Sequence, residues 1–241
     1  VALARSARIE SAIPVGSNGR VLDMALLDGE QLGFVGGQYV IVDTGVVLPS
    51  GKAAKRAYSI MSSDEEQSRF GIAVKRLPTG PGSSAMHATP VGSTLSFSGP
   101  WGKYLIEPTM SGRALVFATD TGITAAMGLV RGRAFERLRA HASIVWYLSQ
   151  ENDFVGEAFI RAELGSLGDR LLLEPGLSIG HPERTAHALA AALRQGLLPD
   201  SAFLSGDGAI VHPLRDALVA AGVPEGHVRV ESFFNNPARK A

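Results

Sequence analysis

The 241-residue chain contains no cysteine. That excludes a cysteine-ligated iron–sulfur cluster, a disulfide, a thiolate nucleophile and a Cys-rich zinc site on these residues, and no metal site is expected. A sequence without disulfides fits a cytoplasmic location. No run approaches the roughly 18 apolar residues of a membrane helix, so no membrane span is expected. The first ten residues carry Arg5, Arg8 and Glu10, which does not match a signal peptide. Surplus charge is lacking too: Lys plus Arg and Asp plus Glu number 23 each. Nucleic-acid binding, which rests on neutralising phosphates, is therefore not expected. The Gly-x-Gly-x-x-Gly dinucleotide fingerprint is also missing.

What is present is enough apolar material for a buried core, 45% hydrophobic against 19% charged. At roughly 100 to 200 residues per domain the length suits two domains. The first half reads as short strands, at residues 3–15, 20–27, 38–42, 57–61, 70–76 and 94–98. With Gly- and Pro-rich connections and one short helix, they predict a small antiparallel β-barrel. The helix begins near residue 85, after the breaker cluster Thr79 to Ser84. Small residues there let the backbone approach a ligand, and the free N–H groups of a helix start suit a pyrophosphate. Gly99-Pro100-Trp101-Gly102-Lys103-Tyr104 is a fixed turn whose aromatic groups are expected to plug the barrel's end.

The second half changes period. Residues 113–118 form a continuous apolar run, the pattern of a strand buried on both faces. Helical spacing follows over 124–138. Strands at 143–148, 170–174, 202–205 and 227–231 then alternate with helices at 153–164, 185–195 and 209–221. Such alternation predicts an α/β domain with a parallel sheet and ligands beyond the strands' carboxyl ends. The expected division is 1–109 for the barrel and 110–241 for the nucleotide-binding α/β domain. Two turns fall where a ligand would sit, Thr119 to Thr124 and Ser205-Gly206-Asp207-Gly208.

The residues with the most chemistry per position are Arg56-Ala57-Tyr58-Ser59. Strand alternation puts Arg56 and Tyr58 on one face and Ala57 and Ser59 on the other. A guanidinium fork, a phenol and a hydroxyl within four residues can meet a phosphate and a planar ring. The stretch resembles the Arg-x-Tyr-Ser flavin motif of the ferredoxin–NADP reductase superfamily. Gly37-Gln38-Tyr39-Val40, the Gly82-Ser83-Ser84 turn, the Gly99 to Tyr104 segment and Thr121-Gly122-Ile123-Thr124 are similar to further family motifs. So are Gly206 and the C-terminal Glu231 and Phe233. Asp120, Ala125, Ser205 and Asp207 depart from the family's usual Gly, Pro, Cys and Pro. A carboxylate at Asp120 is expected to turn away from a pyrophosphate or to cap the helix from its N-terminal side.

The resemblance implies a flavoprotein reductase that passes electrons from NADH or NADPH through bound FAD to a separate one-electron acceptor: a ferredoxin, an oxygenase or a haem protein. Arg56 would bind a flavin phosphate, Tyr58 would pack on the flavin, and Ser59 would lie by N5, where hydride arrives from the nicotinamide. Ser205 and Glu231 fall at the nicotinamide end, with Phe233 by the flavin. Ala73-Val74-Lys75-Arg76 resembles FMN-type reductases, which keeps FMN as the alternative to FAD. The run Ser149 to Asp153, polar and acidic, favours NADH, unless Arg161 or Arg184 folds back to a 2′-phosphate. Residues 235–241 are too few for a ferredoxin domain. A flavin reductase that releases its product, and a non-catalytic flavin-binding or assembly subunit, are the rival readings.

Overall fold

The computed structural model describes residues 4–149, 154–176, 181–194 and 198–235. The first half holds β1 (Arg5–Val15), β2 (Gly19–Leu26), β3 (Tyr39–Val47), β4 (Ala53–Ser59), β5 (Arg69–Lys75), α1 (Pro81–Ala88) and β6 (Thr94–Trp101). Its strands form one antiparallel sheet in the order β4-β3-β6-β1-β2-β5. Alternation sends Ile9, Leu22, Met24, Val40, Val42, Ile72 and Val74 into a common core with Phe70 and Phe97. The sheet is barrel-like but not closed by a continuous ladder. Its two outer strands approach just beyond β4 through a backbone bond from Met61 N–H to the Gly71 carbonyl at 2.9 Å and one from Gly71 N–H to the Ser62 hydroxyl at 3.0 Å.

The second half runs β7 (Ala114–Thr119), α2 (Ile123–Arg131), α3 (Glu136–Arg139), β8 (Ala142–Leu148), α4 (Glu157–Leu164), β9 (Leu171–Pro175), α5 (His181–Leu193), β10 (Ser201–Asp207), α6 (Gly208–Ala220) and β11 (Val228–Phe234). These strands form a parallel sheet in the order β11-β10-β7-β8-β9. β7 and β10 are buried along their whole lengths, which for β7 explains its unbroken apolar reading. The order reverses between β7 and β10, the crevice where such sheets take ligands. No helix among the described residues is long and apolar enough to cross a membrane.

The helix expected over 124–138 is broken. The chain turns extended at Gly132 (φ −72°, ψ 147°) and resumes as a short 3₁₀ turn and α3. The cause lies in the first half. Asp64, 3% exposed, accepts from the N–H groups of Gly36 at 3.0 Å and Arg133 at 2.9 Å. The Arg133 donor is thereby taken out of the helix ladder. Tyr104 also differs from expectation: it is fully buried among residues of α2 and β7, edge-on to Phe203, rather than closing the barrel.

The two halves meet through glycines. A Cβ on Gly128 would lie 1.9 Å from the Ile60 carbonyl oxygen, and one on Gly36 would lie 2.6 Å from the Gly128 oxygen. Within the first half Gly37, at φ 99°, presses on the Tyr104 carbonyl, where a Cβ would come within 2.0 Å. Only hydrogen fits between these backbones. Alanine is the better helix former, yet Gly128→Ala is expected to destabilise the protein by about 2 kcal/mol through overpacking. A thermal melt checks this, and an unchanged or higher midpoint would show that α2 can shift away at no cost.

Candidate functional site

The packed halves leave a cleft of about 400 Å³ between the end of β4, the loop before α1, the turn after β7 and the end of β11. Arg56, Ala57, Tyr58 and Ser59 line it from β4, with Tyr39 beside them. In the β3–β4 ladder Ser59 lies opposite Tyr39, Tyr58 opposite Val40 and Arg56 opposite Val42. Ser59 is 8% exposed. Burial pushes the Tyr58 phenol up to about 12, and the neighbouring Arg56 charge opposes the shift only partly. Tyr58 is therefore a neutral hydrogen-bond donor throughout the physiological range. Arg56 spends one donation on its neighbour's carbonyl, Nη1 to Lys55 O at 2.8 Å.

Beside Arg56 stands the start of α1. A Cβ on Gly82 would lie 3.3 Å from Thr44 Cγ2 and 3.7 Å from Arg56 Cγ, so the stem of Arg56 runs along the helix's first turn. Pro81 at the start needs no acceptor, and the next N–H groups have none within the helix. Ser83 lines the cleft, but its hydroxyl is used on the loop itself. It donates to Gly80 O at 2.9 Å and accepts from Leu77 N–H at 3.0 Å. Ser84 and Gly82 stand behind the lining. At the other end of α1, Arg20 Nη1 donates to the carbonyls of Met86 (3.1 Å), His87 (2.6 Å) and Thr89 (2.8 Å). His87 Nε2 meets the Val74 carbonyl at 2.9 Å. A guanidinium at the carbonyl end suits the helix dipole and fixes where the other end points. Sequence reading passed over Arg20, which lies 66 residues or more from its partners.

On β5, Ala73 and Lys75 face the cleft while Val74, between them, is buried in the sheet's own core. Val74 thus offers the cleft no side chain. Across from β4, Thr121 and Thr124 line the cleft, as do Asp120 and Phe154. Glu231, Ser232, Phe233 and Phe234 complete it from β11. Phe154 and Ser232 carried no signal in the sequence.

Other expected residues lie beneath the cleft. Ser205 is fully buried, and its hydroxyl donates to the Gly122 carbonyl at 3.0 Å. A Cβ on Gly122 would lie 2.4 Å from the Ser205 oxygen, and one on Gly206 (φ 122°) would lie 2.2 Å from Thr119 Oγ1. Asp207 N–H donates to that same Thr119 hydroxyl at 2.7 Å. The Asp207 carboxylate caps α6 through Ala209 N–H at 2.9 Å and accepts from Asn235 Nδ2 at 2.9 Å. These residues hold the turns together at the strand-order reversal. Asp120 does not cap α2, whose start has no side-chain cap; its carboxylate turns sideways to Ser149. Gln150 to Asp153, on which the leaning to NADH partly rested, lie outside the described residues.

The arrangement fits a flavin dinucleotide. It has a guanidinium and a helix start for the phosphates, a glycine approach that a Cβ would narrow, and half-buried aromatic side chains for a ring. A β-domain of this kind facing the switch point of a parallel sheet defines a flavin- and nicotinamide-dependent oxidoreductase. Residues 6–106 match the oxidoreductase FAD-binding domain family. The chain is 32% identical to ferredoxin–NADP reductase B of Sorangium cellulosum, over 94% of this chain and 96% of that protein. It is 26% identical to the glycine betaine monooxygenase reductase subunit of Chromohalobacter salexigens, over 85% of this chain but 57% of that protein. Among solved structures it is similar in fold to an Amycolatopsis cytochrome P450 reductase, with TM-score 0.74 at 19% identity over 97% of this chain and 71% of that one. Phthalate dioxygenase reductase gives 0.71 at 21% identity, over 97% and 70%. The chain belongs to the ferredoxin–NADP reductase superfamily, and its cofactor is FAD.

Arg56→Ala is expected to weaken flavin binding by about 1.5 to 3 kcal/mol, the worth of a charge-assisted hydrogen bond. Flavin absorbance retained after gel filtration measures this. Full retention by the variant would remove Arg56 from the phosphate site.

Proposed function

We propose that the protein passes electrons from NAD(P)H, with NADH the better donor, through FAD to a separate one-electron acceptor protein: a ferredoxin, an oxygenase or a haem protein. The observation that carries this reading is the shared cleft. Tyr58 and Ser59 of the first half and Thr121, Glu231 and Phe233 of the second face one another across it. When bound, FAD supplies the exchange between two-electron and one-electron chemistry that no side chain provides.

The chain's own contribution is placement. Arg56 and the first turn of α1 anchor phosphate, and Arg20 holds that helix from its other end. Tyr58 and Phe233 give apolar faces that keep water from a ring, while the neutral Tyr58 hydroxyl donates without bringing charge. Ser59 presents its hydroxyl at the inner end of β4. Glu231, next to Gly102 and in register with Ser205 on β10, sets the polarity of the far end. Ser205, Gly122 and Gly206 are assigned a positioning role: they hold the β7 and β10 turns at fixed spacing so that Thr121 and Thr124 meet the dinucleotide. Misplacing two reacting groups by about 1 Å can cost 100-fold in rate, so such rigidity matters. No side chain is required to move a proton during hydride transfer itself.

The departures from the family pattern favour activity over decay. Asp120, Ser205 and Asp207 each have specific partners, and Ala125 is fully buried, so the altered turns are integrated. We place the division of the chain between residues 109 and 110, in the irregular segment before β7. The cytoplasm is the proposed location, on the cysteine-free sequence.

Phosphate anchoring should keep flavin on the protein through turnover. NADH-driven reduction of a haem protein or ferredoxin is therefore expected to proceed at a rate that excess free FAD or FMN leaves unchanged. Saturable dependence on added flavin would instead identify a flavin reductase. Absence of turnover with flavin retained would identify a non-catalytic subunit.

A further inference from the structure

Asp120 is held in an unusual way. Its backbone lies in the left-handed region at φ 46°, which a non-glycine residue enters at a cost of roughly 1 kcal/mol or more. Surrounding groups fix it there. Trp146 Nε1 donates to its carbonyl at 2.9 Å, and Ser149 donates to its carboxylate from both the N–H, at 3.0 Å, and the hydroxyl. A glycine would take this backbone without strain, so the side chain, rather than the turn, accounts for an aspartate here.

The carboxylate's position suggests what it does. Asp120 follows β7, the first strand of the parallel sheet, whereas Ser149 is the first residue beyond β8, the second strand. In open parallel sheets an acidic residue beyond the second strand reads the adenosine ribose of a dinucleotide, accepting from its 2′-hydroxyl. Here the acid reaches that place from the neighbouring turn, pulled across by Ser149. It also lines the cleft together with Thr121, Thr124 and Phe154. A carboxylate there accepts from a ribose hydroxyl but opposes a 2′-phosphate. Like charges about 4 Å apart repel by about 1 kcal/mol even in water and by more near a protein surface.

We propose that Asp120 is the specificity-determining residue for the coenzyme, held by Ser149 so that its carboxylate selects the unphosphorylated ribose of NADH against the 2′-phosphate of NADPH. The inference rests on the second half being a dinucleotide site, as proposed above. Arg184 is the opposing candidate, since its charge reaches the same strand end and acts on Tyr147 alongside Asp120 and Glu174. Glu174 itself is paired with Arg194 at 2.7 Å.

The test uses the flavin-loaded protein and its Asp120→Asn variant. Asparagine tolerates the left-handed backbone and keeps an acceptor for Ser149, so the substitution removes charge and little else. Dissociation constants for NAD⁺ and NADP⁺, measured by calorimetry at two ionic strengths, are compared with KM and kcat for NADH and NADPH. The wild type should favour NAD⁺, and its preference should shrink as salt screens the repulsion. In Asp120→Asn the NADP⁺ to NAD⁺ affinity ratio should rise about tenfold, through KM with kcat steady, and lose its salt dependence. Equal wild-type affinities, an unchanged ratio in the variant, or a wild-type preference for NADPH that Arg184→Ala abolishes would each overturn the proposal. If flavin is bound but neither dinucleotide gives heat or reduction, the dinucleotide-site reading itself falls, and the proposal with it.

Discussion

Everything in this molecule that resembles a site depends on two backbones touching without side chains between them. Gly36 and Gly37 on one side meet Gly128 and Gly132 on the other, with the Ile60 carbonyl against Gly128. Close contact of this kind is made by absence of Cβ atoms and tolerates no displacement. The Asp64 carboxylate then bridges the same contact, satisfying one N–H from each half. Because α2 is seated in this way, the turn that precedes it, Asp120 to Gly122, faces Tyr58 and Ser59 rather than solvent. The apolar core follows the same logic: Met61, Ala73 and Tyr104 from the first half pack in one cluster with α2, β7 and β8.

A second consequence concerns the turns at the sheet's reversal point. Thr119, Gly122, Ser205, Gly206 and Asp207 are tied to one another by two hydrogen bonds and two glycine approaches. Their polar groups are directed at each other, which is what buried polar atoms require. Residues expected to touch a nicotinamide are therefore the floor on which it would rest. The two arginines beside α1 are divided in the same manner. Arg56 faces the cleft, while Arg20, far from it, decides the direction of α1.

Much of this was legible in the residues. Short strands with Gly- and Pro-rich connections gave the antiparallel half, an unbroken apolar run gave β7, and strand–helix alternation gave the parallel sheet. Arg56, Tyr58 and Ser59 were visible because three chemistries crowd into one short strand. Glu231 and Phe233 were visible from the same family pattern, and both reach the cleft. Val74, expected in the site with its neighbours, turns its side chain to the sheet's own core while Ala73 and Lys75 line the cleft, as alternate strand positions do. The helical period over 124–138 was equally misleading, since the apolar spacing continued through Gly132 while the backbone did not.

The sequence by itself determined the elements, their faces and the chemical types on offer, because propensity, period and turn residues act over a few neighbouring positions. It also determined what the chain lacks, above all any thiolate for a cluster. Only the tertiary structure decided the partner of each polar group. Asp64 finds Arg133 across 69 positions and Asp120 finds Ser149 across 29. A carboxylate's partner is set by which donors burial leaves unsatisfied nearby, and that depends on the path of the whole chain. The broken helix, the buried Ser205 and the sideways Asp120 all follow from that one physical fact.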